Sequence, residues 1–121
     1  MSFIDLLAFK KSFTLSMKIF ELSKSFPKEE RYSLTDQIRR SSRSVSANIS
    51  EAYRKRQYPR HFSSKLTDSD AENSETLTWL MFALECKYID KGTFENLSAE
   101  NSEVGKLINY MINNPDKFGV K

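Results

Sequence analysis

The sequence predicts an all-α fold: an antiparallel up-and-down four-helix bundle, one domain spanning residues 1–121. Three observations carry this. Apolar residues recur at three- and four-residue spacing through long segments, the period of a helix with a buried face. The chain holds only three Gly and three Pro, too few for a many-turned β fold. No segment alternates apolar and polar residues cleanly, as a half-buried strand does.

The first helix is expected from about Asp5 to Ser25. Leu6, Phe9, Phe13, Met17 and Phe20 form one stripe along it. Leu15, Ile19, Leu22 and Phe26 form a second, roughly opposite. A helix apolar on two sides is buried on two sides, so one side faces its own bundle and the other another subunit. Leu15, Ile19 and Leu22 are assigned to the subunit contact. Pro27 ends this helix, because a residue before proline is disfavoured in the α conformation. The second helix starts at about Lys28 or Ser33 and runs to Arg56, with its core seam at Leu34, Ile38, Val45, Ile49 and Ala52. After a break at Pro59 the third runs from about Arg60 to Ile89. Asp90-Lys91-Gly92 reads as its stop. The fourth covers about Thr93 or Ala99 to Asn113, and residues 116–121 read as a tail. Short connections favour antiparallel neighbours.

Apolar content is 39%, so the core is economical or partly shared with a partner. One cysteine, Cys86, excludes an internal disulfide framework and fits a reducing compartment. No signal-peptide pattern opens the chain, and no run approaches the roughly 18 apolar residues of a membrane span. A cytoplasmic location, away from membranes, is expected. Net charge is +3, but residues 39–65 hold eight Lys/Arg and one acid, while residues 66–105 hold nine acids and two lysines. Such blocks can bind nucleic acid, face each other within an assembly, or be plain solvated faces.

The segment QIRRSSRSVSANISEA, residues 37–52, carries several serines, which compete with the helix backbone for hydrogen bonds. Small side chains let another helix approach closely. Gln37, Arg40, Ser44, Asn48 and Glu51 step by three, four, four and three. They are expected to form a structural polar network, with Glu72 or Glu75 as counter-charge. An ordinary solvated face is the competing reading.

The stretch FPKEERYSLTDQIRRSSRSVSANISEA resembles the signature of the bacterial four-helix bundle family of ribosomal RNA intervening-sequence proteins. The matching positions are Phe26-Pro27, Glu30, Tyr32, Leu34, Gln37, Ile38, Arg39, Arg40, Ser44, Val45, Asn48, Ile49 and Glu51. Glu72, Glu75, Trp79 and Ala83 resemble the family's third helix. One departure is visible: many relatives have Gly after the motif's Glu, where this chain has Ala52-Tyr53-Arg54. The resemblance implies an antiparallel bundle assembling as a cyclic homopentamer. It also implies kinship with the accessory variability determinant of diversity-generating retroelements, a basic bundle that binds nucleic acid and a reverse transcriptase.

Chemistry is sparse. His61 is the one histidine, so a di-iron site with Glu-x-x-His on two helices is excluded. Asp68, Asp70 and Glu72 imitate the start of a calcium loop, but Asn73 and Trp79 stand where Gly and Glu are needed. Cys86 reads as a buried thiol. There is no Gly-rich phosphate loop. No enzyme, metal or cofactor is expected. The nucleic-acid reading rests on Arg54, Lys55, Arg56, Arg60 and Lys65 interleaved with Tyr53, Tyr58, His61 and Phe62. Cations that meet phosphates beside rings that can stack suit RNA or single strands. Without a sequence-reading module, binding is led by charge. The alternative is a scaffold that docks a protein such as a reverse transcriptase.

Overall fold

The computed structural model describes residues 2–120. Its four helices are α1 Leu7–Ser23, α2 Leu34–Arg54, α3 Pro59–Glu85 and α4 Lys91–Asn113, and among the described residues there is no strand. Each helix packs on its neighbours in the order α1–α2–α3–α4–α1, most extensively α2 on α3. This is the antiparallel four-helix bundle that the apolar spacing predicts. No helix is long and apolar enough to cross a membrane.

The helix ends follow local chemistry. A 3-10 turn, Phe3–Asp5, precedes α1 and is closed by reciprocal Ser2 and Asp5 hydrogen bonds. Pro59 opens α3, and its ring keeps Tyr58 out of the helical region (φ −119°, ψ 88°). α2 stops at Arg54, two residues earlier than its sequence suggests. The expected stop at Asp90-Lys91-Gly92 is corrected. α3 ends at Glu85 with Lys87 in the left-handed region (φ 64°). The Tyr88 N–H then reaches back to Ala83 O and the Lys87 N–H to Leu84 O, both at 2.9 Å, a motif that satisfies orphan carbonyls. Asp90 instead begins α4, its carboxylate accepting from the Thr93 N–H at 2.7 Å. The sequence misleads here because a lysine occupies the position glycine usually marks.

The core is built from Ile19, Ile38, Val45, Ile49, Phe62, Leu66, Leu80, Val104, Ile108 and Met111, all essentially inaccessible. Leu15 and Ile19 belong to it, and Leu22 packs partly buried against it. Their assignment to a subunit contact is corrected: they line the inward side of α1. Phe13 and Met17 are the side left exposed. The expected tail is corrected too. Pro115–Phe118 forms a 3-10 turn and Val120 is buried, so the segment folds back onto the bundle.

Three serines of α2, Ser41, Ser42 and Ser46, pack inward. Ser12 and Ser46 hydroxyls meet at 2.8 Å between α1 and α2. Ser41 and Thr76 meet at 2.9 Å between α2 and α3, and the Ser69 hydroxyl donates to Val45 O at 2.8 Å. α3 and α4 are joined by an amide clasp: Asn73 Nδ2 donates to Asn101 O and Asn101 Nδ2 to Asn73 O, each at 2.9 Å. Gly105, one turn beyond Asn101, leaves room for it; a Cβ there would lie 3.3 Å from Asn73 Nδ2. Both asparagines are buried. Asn73→Ala strands buried polar groups on Asn101 and is expected to cost about 1–3 kcal/mol. Urea denaturation checks it; an unchanged midpoint would mean the clasp contributes nothing net.

The α1–α2 connection is fixed by Glu30. Its carboxylate accepts from Ser33 Oγ at 2.6 Å, Tyr88 Oη at 2.8 Å and Leu34 N at 3.3 Å. The Ser33 bond, then the Tyr88 bond, hold its carboxyl below the ordinary 4.5, while partial burial opposes them. The Tyr88 phenol, bonded to Glu30, is pushed up to about 12. A depressed acid stabilises the fold above its unfolded value, and that stability is lost as pH falls through its folded value. Glu30→Gln is therefore expected to flatten the loss of stability on acidification below the ordinary 4.5. Denaturant melts at neutral and acid pH compare the two proteins; parallel curves would remove Glu30 from the acid response.

Candidate nucleic-acid interface

The basic residues gather where α2 ends and α3 begins. Arg54, Lys55 and Arg60 are exposed, and none has a carboxylate within 4.0 Å among the described residues. Tyr58 is half exposed, its ring 5.8 Å from that of His61 and 5.9 Å from Lys55 Nζ. α3 opens without a side-chain cap, so donors of its first turn remain available near these cations.

The other residues expected at this site have different work. Tyr53 and Phe62 are buried and cannot stack on bases, which corrects their assignment. Both sit on inward faces, Phe62 on the stripe that its spacing with Leu66 predicts. Arg56 lies 3.7 Å over the Tyr53 ring and donates from Nε to Tyr53 O at 2.8 Å. Gly119, left-handed at φ 84°, closes against it, since a Cβ there would lie 3.2 Å from Arg56 Nη1. The guanidinium thus covers the Tyr53 ring and lies against the C-terminal segment. Lys65 pairs with Glu51 at 3.0 Å, and that contact raises its ammonium pKa. At this exposure the pair contributes little to stability, but it spends the one acid of the basic block.

The expected polar network is corrected. Gln37, Arg40 and Glu51 are exposed, and Ser44 and Asn48 are half-buried. Apart from the Glu51–Lys65 pair, none of the five hydrogen-bonds or ion-pairs through its side chain with another residue of the set or with Glu72 or Glu75. They lie on the outer α2–α3 surface, one step round the helix from the buried serines. Glu72 has its pKa raised, by burial first and then by the charges of Glu75 and Asp68. Cys86 is exposed, not buried as its apolar neighbours suggest, because α3 ends there. The polar contacts that do hold the helices are Ser12–Ser46, Ser41–Thr76 and Asn73–Asn101; spacing alone places Ser41 or Ser42 in the α2 seam, but it does not show which partner each meets. Their signal was present: Ser42 and Ser46 keep helical spacing with Ile38 and Ile49.

Residues 4–110 match the family model described as 23S rRNA-intervening sequence protein. The chain belongs to that family. A similar solved structure is that of a protein of unknown function from the S23 ribosomal protein family of Bacteroides thetaiotaomicron. It is 30% identical and superposes with a TM-score of 0.81 over 88% of this chain and 96% of that one. No curated protein matches the chain. In this intervening-sequence family member the match stops at residue 110, short of the segment that packs Val120 against the core and closes over Arg56.

Proposed function

We propose that this chain is a non-enzymatic, homo-oligomeric bundle, a pentamer on its resemblance to ring-forming relatives, that binds RNA or DNA through the end of the bundle around Arg54, Lys55 and Arg60. The observation that carries the reading is the cluster of three cations without carboxylate partners beside the exposed rings of Tyr58 and His61. Phosphates meet the cations and unpaired bases can stack on the rings. Nothing in the cluster forms a base-reading helix, so binding is tolerant of sequence and sensitive to salt. Repetition around a ring multiplies weak contacts through effective concentration. The family description, which concerns sequences inserted in ribosomal RNA genes, is in keeping with such a ligand.

The test is a salt titration of the intact protein with single-stranded RNA and with duplex DNA. Binding at low salt that weakens linearly in log affinity against log salt supports the reading. An intact protein that binds neither at low salt overturns it in favour of a scaffold that docks a partner protein.

A further inference from the structure

Two surfaces of the protomer flank α2, and they are opposite in charge. On the α1 side, Phe13 and Met17 are 53% and 46% exposed, and at helical spacing they continue into Phe20. The guanidiniums of Arg39 and Arg43 lie over the Phe20 ring at 4.8 and 5.5 Å. Arg39 also donates to Ser23 Oγ at 2.8 Å. Neither arginine has a carboxylate within 4.0 Å among the described residues, and the nearby Glu21 is taken by Lys24 at 3.2 Å. This face is aromatic and cationic.

On the α3 side, Glu72, Glu75, Trp79 and Phe82 step by three, four and three along one stripe. Phe82 is 53% exposed and Tyr32, across the groove, 84%. Together with Trp79, Leu34 and Cys86 they line a mainly apolar groove. The Trp79 Nε1–H is buried without an acceptor, an uncommon and costly state for an indole donor. Glu72 and Glu75 have no cation within 4.0 Å among the described residues. Partial burial, then the like charges of Glu75 and Asp68, already raise the Glu72 carboxyl. This face is aromatic and largely anionic along α3, with Arg40 exposed on α2 and Arg31 over the Tyr32 ring at 5.4 Å.

We propose that the α1–α2 face of one copy docks on the α2–α3 face of the next, so that Phe13 and Met17 cover the Tyr32–Phe82 groove and Arg43 meets Glu72 and Glu75. The inference rests on the reading that the chain self-associates, and it assigns the surfaces. A second copy is the occupant because each face supplies what the other lacks in both charge and apolar area. Two-fold pairing of either face with itself would oppose like charges. Head-to-tail contacts of two different patches generate rings when the rotation closes, and the Trp79 donor gains a neighbour that can supply an acceptor.

The experiment is sedimentation of the full chain at micromolar concentration, with circular dichroism to verify folding. Wild type is expected to associate. Met17→Asp and Phe82→Asp, both at exposed positions, are each expected to give a folded species at the 14.1 kDa of one chain. Met81→Asp is the control: Met81 is 55% exposed but lies on the α4 side of α3, and it should leave the assembly intact. Mixing the Met17 and Phe82 variants is diagnostic. Each retains the face the other has lost, so the mixture should form a two-chain species and stop there. If wild type associates while both variants also do, or if the mixture stays monomeric, the pairing of faces is wrong and self-association stands. A wild-type monomer overturns both.

Discussion

Ile19→Asp is expected to unfold the protein, not to separate folded subunits. Ile19 is fully inaccessible within one chain, at the centre of the α1 seam. The substitution removes a buried side chain that stabilises the fold by about 1.5–3 kcal/mol. It also places a carboxylate within the apolar core. Breaking a buried pair, which leaves one uncompensated charge, costs about 3–5 kcal/mol, and a carboxylate with no partner faces the same penalty. The sum approaches the whole stability of a small domain, about 5–15 kcal/mol. Met17→Asp, two residues away but on the exposed side, should leave a folded chain with an unchanged helical circular-dichroism spectrum. A folded, monomeric Ile19→Asp variant would restore Ile19 to a subunit contact and contradict the packing described above.

Neutralising Arg54, Lys55 and Arg60 together to glutamine is expected to lose most of the nucleic-acid binding while the fold survives. All three are exposed and none takes part in an internal ion pair, so nothing structural is removed. Each phosphate contact contributes roughly 0.7 to the salt slope for single strands and roughly 0.9 for duplex DNA. Losing three should make the slope shallower by roughly 2 or more per protomer engaged. Arg56 is left in place because its removal would uncover the Tyr53 ring, mixing a stability effect into a binding measurement. Tyr58→Ala, made separately, should weaken single-stranded RNA more than duplex DNA, because stacking needs unpaired bases. If the triple variant binds as well as wild type, with an unchanged slope, the basic end is not the interface.

The sequence by itself determined the class of fold. Apolar periodicity and the scarcity of Gly and Pro lead to four helices, and the proline at position 59 marks the second break. The motif from Phe26 to Glu51 led to the family as well. Periodicity is a local property, so it survives without knowledge of what packs where. Three things were decided only by tertiary structure. The first is which of the two apolar stripes of α1 turns inward. Both have the same spacing, and only the position of α2 and α4 distinguishes Ile19 from Phe13 and Met17. The second is which polar residues are structural. Ser41, Ser46, Thr76 and Asn73 are buried and bonded across helices, whereas the evenly spaced Gln37, Arg40, Ser44, Asn48 and Glu51 lie one step round α2 on its outer side. A rotation of one residue position, 100°, separates a buried network from a solvated face, and helical spacing by itself does not set that rotation. The third is the division of the basic cluster. Arg54, Arg56 and Arg60 are indistinguishable as sequence, but Arg56 is held by Tyr53 and by the C-terminal segment that closes beside it. Free charge is a property of what surrounds a side chain: Arg56 is held locally by Tyr53, and Gly119, some sixty residues on, is brought beside it only by folding.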